Sequence, residues 1–329
     1  MMTGMIEASS VGSGVQMISC DNTRPVQPVS GLDGQWRLDE VACLHFAGSE
    51  ARAFLHAQLT QAVLDLEPGR ARAAAYCTAQ GRVLASGVLW ALGPDELRFM
   101  VSSDLAADLQ QRMQRYVMRA DVRIALEEGG QVAGMRGAEH VPERLHSAPP
   151  WTVQADDAGC WISGPGSSTA SPWAWHVAAA SAAPSAAGPT DGAAGWQAGR
   201  LLAGWPLVRA ATQGMFLPAS LNMDLNGTIH FQKGCYPGQE IIARSHYRGT
   251  VKRRLATGHG PWPGTGAGPA AGSDLFEPAG SGRPVARLIE ACVWHGHVYA
   301  AVEALVADGP ELQLASGSAQ GPILAVRMA

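Results

Sequence analysis

The apolar positions of this chain change period along its length, and each change marks an element. Positions 41–46 alternate well enough for a strand. Gly48-Ser49-Glu50 follows, with Ser49 suited to cap a helix. Phe54, Leu55, Leu59, Val63 and Leu66 supply the apolar face of that helix and its continuation, and Pro68-Gly69 closes the section. Positions 73–78 and 82–92 read as strands around a Gln80-Gly81 turn, and 97–102 as the next strand. Ser103-Asp104 caps a second helix with Leu105, Leu109, Met113 and Val117 on one face, and 122–127 returns as a strand. This order predicts an α+β layer of the split βαβ, ferredoxin-like kind.

A second, poorer α+β unit follows. Strands are expected at 132–135 and 161–162, with a short helix over 139–146. From 163 to 195 the composition shifts to Ala, Ser, Gly and Pro, which reads as loop around a strand at 173–177. Positions 196–203 predict a helix ending at Gly204, with Pro206 beyond it. After Arg254 short strands recur between turns, at 285–291, 297–302 and 323–326, and no helical pattern remains. That is the pattern of a small antiparallel β-barrel. The predicted organisation is a flexible Ser- and Gly-rich tail over 1–33, an α+β domain over 34–251 and a barrel domain over 252–329.

Composition narrows the function classes. With 329 residues and 47% hydrophobic content, the chain has enough apolar surface for about two domains. Its 24 Lys and Arg against 28 Asp and Glu leave a net charge of −4, so no global basic balance points to nucleic acid. A local patch stays open. The six cysteines (20, 43, 77, 160, 235 and 292) are scattered without a C-x-x-C pair, which argues against a disulfide scaffold or zinc ribbon and fits a reducing compartment. No basic-then-apolar leader and no membrane-length apolar stretch stand in the sequence, so a cytoplasmic protein without membrane contact is expected.

One decapeptide concentrates unusual chemistry: Phe231-Gln232-Lys233-Gly234-Cys235-Tyr236-Pro237-Gly238-Gln239-Glu240. Pro237 suits the first position of a helix, Glu240 then complements its dipole, and Gly249 can end it. Cys235 is thereby placed just before a helix N-terminus and two residues from Lys233, both of which favour thiolate over thiol. A buried structural cysteine is the plainer alternative. The polar and glycine-rich surroundings favour function.

The same run resembles the K-G-C-Y-x-G-Q-E signature of the YgfZ-type folate-binding proteins, relatives of the glycine cleavage T protein (aminomethyltransferase). Phe216-Leu217-Pro218 and Asn222 upstream, and Arg244, Arg248-Gly249 and Lys252-Arg253-Arg254 downstream, agree with it. The resemblance extends more weakly from about Gln35 to the C-terminus. It implies a folate-binding domain of ferredoxin-like units followed by a β-barrel. It also implies a tetrahydrofolate-like ligand, a role in iron–sulfur cluster assembly or repair, and through that an effect on tRNA modification. The motif residues Lys233, Gly234, Cys235, Tyr236, Gly238, Gln239 and Glu240 become site candidates, with Cys235 as the functional thiol. Trp196 matches a tryptophan that lines the folate cavity in the family and is a natural stacking partner for a pterin, while Asn222 offers amide hydrogen bonds. Core packing for Trp196 and a loop cap for Asn222 are the bland alternatives.

Arg244 and Arg248 lie one helical turn apart and, with Arg254, form a candidate site for an anion or a partner. A solvated face is the alternative, and the basic run is too short to select nucleic acid. The chain also departs from its relatives. Leu202 stands where T proteins carry an acid before Ala-Gly-aromatic-Pro, and 82–87 lacks the aspartate of the transferases. Without that acid, an accessory folate-binding protein is expected over an aminomethyl transferase. A folate-independent adaptor working through the basic patch is the further alternative. The expected partners are a folate and iron–sulfur assembly proteins or their clients. No metal is expected, since His230, Cys235 and His246 match no standard ligand spacing.

Overall fold

The structure, a computed structural model, describes residues 32–127, 132–178, 193–249, 251–262, 268–277, 282–306, 311–316 and 323–328, the last two stretches by backbone alone. Residues 1–31 of the expected tail and 179–192 of the expected loop lie outside the described residues.

After β1 (Gly34–Arg37), which joins a second sheet, the first layer runs β2 (Val41–Ala47), α1 (Ala51–Gln58), β3 (Ala71–Cys77), β4 (Val83–Ala91), β5 (Glu96–Ser102), α2 (Ser103–Val117) and β6 (Arg123–Leu126). Its sheet has the order β3-β4-β5-β2-β6, with every pair antiparallel. Helices following β2 and β5 make this the expected split βαβ arrangement, extended at one edge by the β3–β4 hairpin. Alternation along the strands divides their side chains between two cores. Leu44, Phe46, Leu89, Phe99 and Val101 meet α1 and α2 through Phe54, Leu55, Leu105, Leu109 and Met113. Cys43, Val88, Trp90 and Met100 face a second sheet instead.

That second sheet takes the order β1-β7-β10-β9-β8, with β7 Val132–Arg136, β8 Val153–Asp156, β9 Gly159–Ser163 and β10 Trp173–Ala178. The helix expected over 139–146 is a single 3-10 turn, Glu143–Leu145. Pro142 before it and Pro149-Pro150 after it restrict the flanking backbone. α3 (Ala194–Leu202) closes the layer.

The last part is β11 (Arg253–Pro261), β12 (Asp274–Phe276), β13 (Pro284–Trp294), β14 (His297–Leu305), β15 (Glu311–Ser316) and β16 (Ile323–Met328). Pairing proceeds β11-β14-β13-β12-β15-β16 and returns to β11, so the hydrogen-bonded ring closes. Small inward residues, including Ala256, Ala286, Ala300 and Ala304 beside Leu288 and Val302, let so narrow a ring fill its interior.

The barrel is tied to α3 by a buried ion pair. Arg200 holds Glu290 at 2.7 and 2.9 Å, Arg209 adds a contact of 2.9 Å, and the Leu207 N–H donates at 2.8 Å. Burial pushes the Glu290 carboxyl up, but the two guanidiniums and these hydrogen bonds outweigh it and bring it down to about 2. No helix among the described residues is long and apolar enough to cross a membrane.

Candidate functional site

The cysteine motif is a turn laid on the β3–β4 hairpin. Helix α4 (Gln239–Arg248) begins two residues later than the proline rule predicts, because Gly238 occupies the N-cap with φ +82°. A Cβ on Gly238 would lie 2.5 Å from the Thr78 carbonyl oxygen and 2.7 Å from the Gly81 Cα. Gly81, itself at φ +73°, faces Ile241 and Ile242 of α4. Only glycine permits both the left-handed backbone and this approach, so the contact decides where the helix starts.

Lys233 is anchored elsewhere than the sequence suggests. Its ammonium donates to the carbonyls of His56 and Leu59, the latter at 2.7 Å, and sits 4.8 Å from the centre of the Tyr236 ring. α1 therefore stops at Gln58, and its otherwise unsatisfied terminal carbonyls take the lysine. Burial lowers the Lys233 pKa to about 8, against an opposing influence from Cys235. Gln239 donates its amide N–H to the Lys233 carbonyl at 3.3 Å. Tyr236 is a core residue, 7% exposed, and burial pushes its phenol upward.

Cys235 stands between these anchored neighbours and is itself exposed, unlike every other described cysteine. Burial raises the thiols of Cys43, Cys77, Cys160 and Cys292, to about 12 for Cys77, about 11 for Cys160 and about 12 for Cys292. A reacting thiol needs both access and ionisation, and those four are denied both.

The basic residues divide into two kinds. Arg254 forms a bidentate pair with the buried Asp224 at 2.6 and 3.0 Å and also reaches the Ala219 carbonyl. It is a structural clamp, with its charge already balanced. Arg244 and Arg248 project from α4 into solvent, Arg244 in an exposed pair with Glu240 at 2.8 Å. His246 stacks on Phe231 at 3.9 Å and lies 3.8 Å from Asp224. Among the described residues no group of three or more His, Cys, Asp or Glu side chains is placed to hold a metal.

Trp196 is 3% exposed and packs in a tryptophan cluster, 5.3 Å from Trp173, 5.7 Å from Trp175 and 6.5 Å from Trp36. Gly134 makes room for it, since a Cβ there would fall 2.3 Å from the indole. A small cavity of about 10 Å³, room for roughly one water, borders that cluster at Trp205. Trp205, Pro206, Leu221 and Met223 give it apolar walls, Ser86, Asn226 and Thr228 supply polar groups, and neither Trp196 nor Asn222 lines it. Asn222 is buried at φ +54° and ends a 3-10 turn, with its carbonyl accepting from Leu225 and Asn226. Leu202 is buried in the core. In the sequence, Gly204-Trp205-Pro206 stand out only as the pattern that follows Leu202, and 82–87 only by the aspartate it lacks. Asn226 and Thr228 carried no pattern at all.

No family model matches the chain. Curated proteins called tRNA-modifying protein YgfZ do. The one from Edwardsiella ictaluri is 29% identical over 232 residues, covering 67% of this chain and 69% of that protein. The one from Klebsiella pneumoniae is 28% identical over 252 residues, covering 72% and 74%. Escherichia coli counterparts reach 43% identity within an 83-residue stretch, 24% of each chain. Among solved structures, the crystal structure of glycine cleavage system aminomethyltransferase T from Bartonella henselae superposes with a TM-score of 0.65 at 14% identity, covering 93% of this chain and 86% of that one. The chain is thus similar in sequence to proteins called tRNA-modifying protein YgfZ and has the fold of the glycine cleavage T protein.

Proposed function

We propose that this protein is a folate-binding accessory factor that supports iron–sulfur cluster assembly or repair through Cys235, and through cluster-dependent enzymes supports tRNA modification. The observation that carries the reading is the placement of Cys235. It is the one exposed cysteine among those described, on a turn pinned by Gly238 on the hairpin, Lys233 on α1 and Tyr236 in the core. A rigid turn presents the thiol at a fixed place with little loss of entropy when a partner or cluster engages it.

The folate ring is assigned to this cavity, whose walls must open to admit it. Trp205, Leu221 and Met223 cover an apolar ring face, and Ser86, Asn226 and Thr228 offer hydrogen bonds at its edge. At about 10 Å³ the cavity holds roughly one water, far short of a ligand-sized site, so binding requires its walls to part. Bound tetrahydrofolate would supply a one-carbon carrier. No carboxylate lines the cavity to balance charge on a folate amine, which favours an accessory role over aminomethyl transfer.

The test is an anaerobic titration with tetrahydrofolate, followed by tryptophan fluorescence and heat, on the full chain and on Ser86→Val. Saturable binding weakened by the substitution supports the cavity. Cys235→Ser should leave that binding intact while abolishing support of a cluster-dependent tRNA-modifying enzyme in cells. Full support by Cys235→Ser would sink the thiol role, and absence of any folate binding would leave the adaptor reading.

A further inference from the structure

The C-terminal half of α4 presents a surface that the folate reading does not use. From Arg244 to Arg254 the chain has five Lys and Arg and no Asp or Glu, in a protein whose net charge is −4. Arg254 is tied to Asp224, and Arg253 donates to the Val285 carbonyl. The other three, Arg244, Arg248 and Lys252, are exposed.

Tyr247 stands beside two of them, on the face that holds Arg244 and next to Arg248. It is 67% exposed, yet its ring is braced. Its edge contacts run to Phe231 at 5.9 Å and His246 at 4.9 Å, and those two rings stack on each other at 3.9 Å. The face thus offers exposed cations together with one exposed, braced ring. An unpaired nucleic-acid strand uses both, because phosphates need the cations and each base offers a π-face to a fixed aromatic.

We infer that this face binds an unpaired nucleic-acid strand, with phosphates on Arg244, Arg248 and Lys252 and a base stacked on Tyr247. The one acid of the helix's first turn, Glu240, pairs with Arg244 in an exposed geometry that a phosphate displaces at small cost. The inference stands on this surface alone and does not depend on folate.

The test is fluorescence anisotropy of a labelled, unstructured oligouridine with the full chain, in the absence of folate and across a salt series. Tyr247→Ala is expected to weaken binding roughly tenfold without changing the salt slope. Tyr247→Phe should restore it. Arg248→Gln should lower the slope of log affinity against log salt by about 0.7, one phosphate contact on a single strand. An oligothymidine of the same length shows whether the ribose contributes, and Tyr247-dependent binding of either strand supports the inference. Equal binding by Tyr247→Ala, or polyglutamate competing as well as the oligonucleotide, would mark a general polyanion surface and overturn it. So would no binding at about 50 mM salt, where phosphate contacts are strong.

Discussion

Gly238 and Gly81 meet backbone to backbone: a Cβ on Gly238 would lie 2.7 Å from the Gly81 Cα and 2.5 Å from the neighbouring Thr78 oxygen. Since Gly238 is also at φ +82°, Gly238→Ala combines strain with a clash. The expected loss is at least ~1–3 kcal/mol, read as a lower urea midpoint. Gly234 is the control within the same motif. A Cβ there meets nothing nearer than His56 Nε2 at 3.5 Å, so Gly234→Ala should stay within about 0.5 kcal/mol of the parent. Equal effects at both positions would contradict the docking geometry.

Lys233 should reveal itself in alkaline titration. Its folded pKa is lowered from 10.5 to about 8 by burial, so between those values the unfolded chain binds more protons than the folded one. The contribution of this group to stability therefore rises from about pH 8 to about 10.5, is fully present above that range and is lost as the pH falls through about 8. Urea unfolding at several pH values, compared with Lys233→Met, isolates the effect, and parallel curves for the two proteins would refute it.

The Arg200–Glu290 pair predicts acid sensitivity at the joint between α3 and the barrel. With its folded pKa at about 2 against an ordinary 4.5, Glu290 stabilises the protein above the higher value, and this is lost as the pH falls through the lower. Arg200→Met leaves the carboxylate buried beside Arg209 alone and should cost ~3–5 kcal/mol at neutral pH. Glu290→Gln should flatten the stability profile between pH 5 and 2 (about the range of the two pKa values). A Glu290→Gln profile as steep as the parent's would assign the acid transition to other groups.

Trp196→Ala should behave as a core deletion. Removing an indole that is 3% exposed and wedged over Gly134 is expected to cost ~3–5 kcal/mol. Circular dichroism melts would show it without any ligand. An unchanged melting temperature would place the ring outside the core.

Much of the architecture was legible because it rests on local periodicity. The alternation in 41–46 and 97–102 and the helical spacing of Leu105, Leu109 and Met113 each reflect one element burying one face, and the structure has those elements. The cysteine motif was legible for the same reason, as a contiguous run of special residue types. The site's internal partnerships were not. Lys233 bonds to Leu59, 174 positions away, and Arg254 to Asp224, 30 positions away. Neither pairing leaves a mark on spacing.

What the sequence by itself determined is therefore the order of elements, the β-rich end and the single turn that combines Lys233, Cys235 and Gly238. Only the tertiary structure decided which side chains of that turn reach solvent. Lys233 and Tyr236 turn inward because the end of α1 and the core offer them partners, Trp196 because Gly134 leaves an indole-sized space. Cys235 and Tyr247 remain outside because no described residue covers them. Burial is a property of the whole assembled surface, and no local pattern of residues encodes it.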